Sequence, residues 1–391
     1  MSGFSFVGAL SSSKSLMNRA LLVQSFQPQL NILGQSDAED VQQMRLALKQ
    51  HSEGAPIECG SAGTVLRFMA LRAARAPGEH VLTGSRRLFE RPQQELVKVL
   101  GQLGCAVEMN SEHLKIRSWG WKMVGDALHV PMERSSQFAS AVILSAWKLP
   151  FELCIWLGPK AVSEGYLDMT LALVTRLGMK IERKQNEIRI APEQKVMAQD
   201  LSIESDLSSV FALSACALIN GHINILGLSS ESLQPDRVFV RLLETMGASI
   251  QFKNGNLEVQ TTAKLKPISV DLTHAPDLFP VLAALAALAE GESFLSGAPH
   301  LAFKESNRLE KTVQLLRDCG RDVVVAPDGV KIQGQRQPQR KAVLQFDPDQ
   351  DHRLAFAAAV LQLAGEPIEI LNPEVVNKSF PEFWRILRSG T

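Results

Sequence analysis

Cations gather in this chain where polar or glycine-rich residues open an apolar stretch. Lys14, Ser15 and Arg19 open the first such stretch, and Arg67 lies one turn inside the next, which begins Gly60-Ser61-Ala62-Gly63-Thr64. Lys304, Glu305 and Arg308 stand together after a strand-like run, His352 and Arg353 open the last helical pattern, and Lys378 follows a final strand-like run. A helix start presents unpaired N–H groups and the positive end of the helix dipole, so it attracts anions. Lys and Arg added there make a site for phosphate or carboxylate, with Arg suited to two parallel hydrogen bonds. Each place also has a plainer reading. Ser-Ser and Gly-Ser starts are ordinary helix caps, and Ser11-Ser12 and Ser208-Ser209 read as caps or hinge residues. Lys304-Glu305-x-x-Arg308 fits a solvated helix face. Asp277 after Pro276 fits a first-turn acid, and His352 fits a hydrogen-bonded core histidine. The case for chemistry rests on the combination across the chain.

Two alternating patterns must position these residues. The first is a small polar start followed by an Ala- and Leu-rich helix, at Ser12-Ser13-Lys14, Gly60–Thr64, Ser135-Ser136-Gln137, Ser208-Ser209, Ala275-Pro276-Asp277 and Asp351-His352-Arg353. The second is an amphipathic helix closed by glycine and followed by a strand, as in Leu96–Gly104 and Met169–Gly178, with Leu242–Gly247 and Thr312–Gly320 repeating it. Those four glycines are 74, 69 and 73 residues apart. A period near 70 predicts a tandem α/β unit, since solenoid repeats run to roughly 20–50 residues. Six copies of the first helix predict six units, three to a domain. Ser13 to Ala62 is 49 residues against 74 from Ala62 to Ser136, so the first unit is shortened.

The chain's 391 residues exceed one ordinary core, which predicts two domains. Its 41 basic and 41 acidic side chains cancel, which argues against a broad nucleic-acid-gripping surface but leaves room for a local basic pocket. Cys59, Cys105, Cys154, Cys216 and Cys319 are scattered without a Cys-x-x-Cys pair and read as reduced thiols in a cytoplasm. No signal-type or transit-type segment is read at the start of the chain. Leu278–Ala289 is apolar but short of the roughly 20 residues that span a bilayer. The expectation is a monomer with small-molecule substrates and no membrane or nucleic-acid partner.

The combination resembles the enolpyruvyl transferases, and within them the 5-enolpyruvylshikimate-3-phosphate synthases. The resemblance is carried by Ser13-Lys14-Ser15-Leu16-Met17-Asn18-Arg19, by Ser61-Ala62-Gly63-Thr64-Val65-Leu66-Arg67, and by Arg87 with Glu90-Arg91-Pro92. Ser135-Ser136-Gln137-Phe138, Ser163 with Tyr166 and Asp168, and Pro276-Asp277 follow in the family's order. Lys304-Glu305-Ser306-Asn307-Arg308, Asp351-His352-Arg353 and Lys378-Ser379-Phe380-Pro381 complete a series that covers nearly the whole chain.

The resemblance implies an α/β fold, a two-lobed inside-out α/β barrel of six βαβαββ-type repeats. Residues 1–12 with 205–391 would form the lobe carrying the catalytic acid and base and part of the phosphoenolpyruvate site. Residues 13–204 would form the lobe carrying most of the shikimate 3-phosphate site. The implied reaction moves the enolpyruvyl group of phosphoenolpyruvate to the 5-hydroxyl of shikimate 3-phosphate with loss of phosphate, and it needs neither cofactor nor metal. Shikimate 3-phosphate would be held by Lys14, Ser15, Arg19, Ser135, Ser136, Gln137, Ser163, Tyr166, Asp277, His300 and Lys304. Phosphoenolpyruvate would be held by Lys14, Gly63, Arg87, Gln137, Arg308, Arg353 and Lys378. Asp277 would be the base, and Glu305, with Lys14, the proton donor. Glyphosate would compete with phosphoenolpyruvate, with Gly63 leaving room in that pocket.

The sequence departs from the family pattern at Ser11-Ser12, where Pro-Gly is usual, at Ser61 and His300, where Asn is usual, and at Phe68, where Pro is usual. The rival within the fold is UDP-N-acetylglucosamine enolpyruvyl transferase. That family carries a catalytic cysteine before an Arg-Pro pair, whereas Gly84–Pro92 here has none. A rival of another class is a relative that only binds a phosphorylated metabolite.

Overall fold

The computed structural model describes residues 3–159, 162–229, 231–297, 299–338 and 341–389. Met1, Ser2, Gly390 and Thr391, which fall in the expected 1–12 and 205–391 segments, lie outside the described residues. The chain forms two compact units, one of Met1–Ser13 with Glu204–Thr391 and one of Lys14–Ile203.

Each unit buries its Ala- and Leu-rich helices inside sheets, because a helix that is apolar all round has no face to give to water. Every residue of helix Phe279–Leu288 is buried, as is the run Leu207–Leu218 of helix Leu207–Asn220. The strands that cover them alternate inward and outward side chains, as in His113–Ser118 and Gly329–Gly334. Burying each Leu, Val or Phe on those helices contributes about 1.5–3 kcal/mol.

The Lys14–Ile203 unit holds two four-stranded sheets, running Ile57–Glu58, Gly78–Thr83, His113–Ser118, Ala106–Met109 and Leu128–His129, Leu153–Trp156, Glu187–Ile190, Ile181–Lys184. In each, the first two strands are parallel and flank a buried helix, and the rest are antiparallel. Its third sheet has only two strands, Asn31–Leu33 and Asp200–Ser202, paired in parallel. The other unit repeats this plan. Phe4–Gly8 pairs in parallel with Gly221–Ile225, so a strand from the start of the chain completes a sheet more than two hundred residues later. Ser269–Asp271 pairs in parallel with Gly291–Ser296, and Leu344–Phe346 with Ile368–Ile370.

The first unit was expected to be the shortened one, and the last sheet among the described residues is cut to two strands as well. The sequence could not disclose this, since no later helix start follows from which a short spacing could be measured. A second correction concerns Ser208-Ser209. The helix begins at Leu207 and its cap is Asp206, whose Oδ1 accepts from Ser209 N at 2.9 Å and from both serine hydroxyls.

Helix ends follow the local signals. Gly104, Gly178, Gly247 and Gly320 all have left-handed φ, from +76° to +103°. In each case the next residue's N–H bonds the carbonyl five positions back, as Cys105 to Leu100 and Arg321 to Leu316, which closes the helix end. Among the described residues, no helix is long and apolar enough to cross a membrane.

Candidate active site

Within Lys14–Ile203, the first buried helix carries Lys14 at its start and Arg19 one turn on. Lys14 Nζ meets Asp40 Oδ2 at 2.9 Å, a carboxylate supplied by the first turn of helix Glu39–Ser52. Arg19 is buried, and its Nε donates to Thr170 Oγ1 at 2.7 Å, with further bonds to the carbonyls of Ser15 and Tyr166. Burial lowers its pKa to about 10, against a smaller opposing effect of Tyr166, so it stays charged at neutral pH. Phe68, at the position where the family usually has proline, is fully buried with its ring centroid 5.4 Å from the Arg19 guanidinium carbon.

The start of helix Gly63–Ala73 has no side-chain cap, and neither does that of helix Gln137–Leu144. Helix starts whose N-cap residue makes no side-chain bond leave N–H groups suited to a ligand's oxygens, though the first N–H of the second helix already has the Ser135 hydroxyl. Arg67 joins the two helices. Its Nη1 donates to Gln137 Oε1 at 2.8 Å and its Nε to Gln93 Oε1 at 3.2 Å, while Gln137 Nε2 donates to Thr64 Oγ1 at 3.2 Å. The Gln137 amide is thus oriented at both ends. Ser135 Oγ accepts from Gln137 N at 3.2 Å, and Ser136 is buried without capping the helix. Ser163 begins helix Glu164–Arg176 in a left-handed conformation, φ +56°, with its Oγ buried and without a hydrogen-bond partner among the described residues. A serine held there against its steric preference marks a position dictated by its surroundings. Tyr166 follows on the same helix. Arg87 is half exposed and 3.8 Å from Glu90. Asp168 does not join the cluster; it pairs with Arg183 at the surface.

Gly63 was expected to leave room for a ligand, and its missing side chain lets a neighbouring guanidinium approach the helix start. A Cβ placed on Gly63 would lie 2.8 Å from Arg91 Nη1 and 3.0 Å from its Cζ, so the Arg91 guanidinium already occupies that space.

In the other unit, Arg308 stands almost wholly buried among three carboxylates. Its Nη1 donates to Asp277 Oδ1 at 2.9 Å, Nη2 to Glu305 Oε2 at 2.7 Å, and Nε to Asp351 Oδ2 at 2.8 Å. Arg353 takes the second oxygen of Asp277 through Nη2 at 2.6 Å. Burial alone would push the Asp277 carboxyl up, but Arg353, Arg308 and Lys304 together hold it well below the usual carboxylate range. Arg308 is driven upward: burial opposes its charge, and Asp351, Glu305 and Asp277 outweigh that. His300 is buried, and its pKa falls to about 3 through burial first and then the Lys304 charge, so the ring is neutral at pH 7. Lys304 is half-buried, and Lys378 is buried at the end of the 3-10 turn Pro373–Lys378. His352 is buried with its ring edge-on to Phe356, as a core histidine.

Sequence reasoning missed Asp40 and Thr170 as the partners of Lys14 and Arg19, and it left Arg91 without a role. Asp40 looks like a routine first-turn acid and Thr170 like one polar residue of an amphipathic helix. Only their contacts distinguish them.

The model of the EPSP synthase family (3-phosphoshikimate 1-carboxyvinyltransferase) matches residues 29–387. The chain belongs to the EPSP synthase family. It is 35% identical to a 3-phosphoshikimate 1-carboxyvinyltransferase of Methanoculleus marisnigri over 335 residues, covering 85% of this chain and 78% of that one. With the enzyme of the same name from Pyrococcus abyssi it shares 31% over 384 residues, covering 98% and 90%. The EPSP synthase structure from Acinetobacter baumannii superposes with a TM-score of 0.75 at 21% identity, covering 99% of this chain and 96% of that one. The enolpyruvyl transferase NikO from Streptomyces tendae superposes at 0.72 with 14% identity, covering 100% and 95%, so the two-lobed α/β fold is common to both. Family membership carries the family's reaction, in which the enolpyruvyl group of phosphoenolpyruvate passes to shikimate 3-phosphate in the shikimate pathway.

Proposed function

We propose that Asp277 is the base of this reaction, that Glu305, with Lys14, donates the proton, and that Arg308 and Arg353 receive the carboxylate of phosphoenolpyruvate. The observation that carries this reading is the two-sided grip of Arg308 and Arg353 on the Asp277 carboxylate. Two arginines set to hold one carboxylate suit the carboxylate of an incoming substrate. When that substrate takes their hydrogen bonds, Asp277 loses the cations that depress its basicity and becomes able to accept the 5-hydroxyl proton of shikimate 3-phosphate. The hydroxyl oxygen then adds to C2 of phosphoenolpyruvate as Glu305 protonates C3. Loss of phosphate, with return of a proton from C3, regenerates the double bond in the product.

In this reading Lys14, Ser15, Arg19, Ser135, Ser136, Gln137, Ser163 and Tyr166, with Asp277, His300 and Lys304, hold shikimate 3-phosphate. Lys14, Gly63, Arg87, Gln137 and Lys378 complete the phosphoenolpyruvate set. The buried, charged Arg19 and the doubly oriented Gln137 support these roles. The five buried free cysteines fit a reducing, cytoplasmic setting, and a single chain is proposed as the working unit. Glyphosate is proposed to compete with phosphoenolpyruvate.

Steady-state phosphate release from the two substrates tests the reading. Turnover with shikimate 3-phosphate, and none with UDP-N-acetylglucosamine in its place, is the expected result. No release under either condition would leave only a phosphometabolite-binding role.

A further inference from the structure

We infer that Gln93 is a positioning residue for the reaction: through Arg67 it fixes the amide of Gln137 in the one orientation in which Gln137 can serve both substrates. This rests on the reading above that places Gln137 at shikimate 3-phosphate and phosphoenolpyruvate, and it assigns a residue to which that reading gives no part.

Gln93 stands at the start of helix Gln94–Gln102, yet its side chain does not cap that helix. It turns inward and is fully buried. A glutamine amide taken out of water is costly unless its groups are paired, and here both ends are. Oε1 accepts from Arg67 Nε at 3.2 Å, and Nε2 donates to the Leu88 carbonyl at 3.1 Å. That carbonyl belongs to the short helix Arg86–Glu90, which therefore holds Gln93 with its oxygen toward Arg67. An amide turned the other way would set its NH2 group against a guanidinium, which only donates, and its oxygen against a carbonyl, which only accepts.

Arg67 passes this constraint on. Its Nη2 donates to the Pro92 carbonyl at 3.3 Å and its Nη1 to Gln137 Oε1 at 2.8 Å. Its guanidinium carbon lies 4.7 Å from the centroid of the Phe138 ring, so hydrogen bonds fix the edges of the group and an aromatic ring fixes one face. Because Arg67 offers only donors, the Gln137 oxygen must face it, and Gln137 Nε2 is left to donate to Thr64 Oγ1 at 3.2 Å. Thr64 alone does not enforce that orientation, since a hydroxyl both donates and accepts. A Gln137 set this way keeps, among the described residues, one N–H and one oxygen lone pair for the substrates. Without Gln93, Arg67 Nε loses its acceptor, and Gln137 loses the fixed donor that chooses its orientation.

Gln93→Met, Gln93→Glu and Gln137→Met, made in the full chain, test this. Gln93→Met keeps the volume of the side chain and removes both bonds. It should raise the KM for both substrates about tenfold, the effect of one misplaced hydrogen bond. In a chain already carrying Gln137→Met, the same change should move neither KM by more than about twofold, because the residue it acts through is gone. Gln93→Glu keeps an acceptor for Arg67 and gives up the donor to Leu88, so it should recover most of the loss. Should Gln93→Met not fold, Gln93→Asn, whose amide stops one carbon short of Arg67, enters the same cycle. Unchanged KM values in Gln93→Met would sink the inference. Losses of the same size with and without Gln137→Met, together with a lower melting temperature, would also sink it and make Gln93 a packing residue. A Gln93→Glu variant as impaired as Gln93→Met would do the same, by putting the weight on the Leu88 bond. Should Gln137→Met itself leave both KM values unchanged, the placement of Gln137 at the substrates falls and takes this inference with it. Should Gln137→Met act and Gln93→Met not, this inference falls alone.

Discussion

Arg308 Nη1 and Asp277 Oδ1 lie 2.9 Å apart, with the arginine almost wholly buried and the carboxylate partly open to solvent. Arg353 closes on the other carboxylate oxygen, so the proposed base is held in its least basic state until another anion competes for the same guanidinium groups.

Asp277→Asn keeps the shape and the hydrogen-bonding oxygen of the side chain but removes its basicity. Turnover should fall by the roughly 10²–10⁴-fold typical of general acid–base catalysis, with shikimate 3-phosphate still bound by calorimetry. Near-normal turnover would return Asp277 to the role of a helix-start acid. Glu305→Gln should slow turnover in the same assay through poorer proton delivery to C3.

Thr170→Val removes the hydroxyl that accepts from Arg19 Nε while keeping the volume of the side chain. A buried guanidinium N–H left unpaired costs about 1–3 kcal/mol, which chemical denaturation should read directly. Looser placement of Arg19 should raise the KM for shikimate 3-phosphate about tenfold and leave that for phosphoenolpyruvate unmoved. Equal effects on both substrates would contradict the assignment of Arg19.

Gly63→Ala drives a methyl group into the Arg91 guanidinium, the mobile end of a long side chain, so the protein should still fold. The KM for phosphoenolpyruvate should rise about tenfold, in line with an overpacking strain of roughly 1–3 kcal/mol. Combined with Arg91→Gln, the substitution should add little. Additive effects would show that the methyl group acts on the ligand rather than through Arg91.

His300 has a pKa near 3 in the folded chain, against 6.5 as the reference value, because burial and the Lys304 charge disfavour its cationic form. The unfolded ring therefore gains a proton before the folded one does. Its contribution to stability is complete above about pH 6.5 and is lost as pH falls toward 3, at up to about 1.4 kcal/mol per pH unit. His300→Asn should flatten the decline in unfolding free energy between pH 6 and pH 4. His51, lowered to about 4 by burial and by Arg72 and His80, keeps the same sign of dependence in both proteins, so the slope should shrink without vanishing. Identical slopes would contradict a buried neutral His300.

The sequence alone determined what short-range physics controls. The glycine-closed helix ends were legible because a left-handed residue is needed there whatever the surroundings, and Gly104, Gly178, Gly247 and Gly320 supply it. The Ala-rich helices were legible because apolar residues on every face leave only an interior position. The family motifs brought the cations and carboxylates to notice as a set. Only the tertiary structure decided their partners. Thr170 reaches Arg19 across 151 positions, Arg353 reaches Asp277 across 76, and Asp40 reaches Lys14 from a neighbouring helix. Nothing local distinguishes such residues from ordinary surface acids and threonines, because the contact is created by how helices pack. Gly63 shows the same division. Its sequence context marks a helix start, but what fills the space of its missing side chain is the Arg91 guanidinium, brought there by a loop that closes only in the fold.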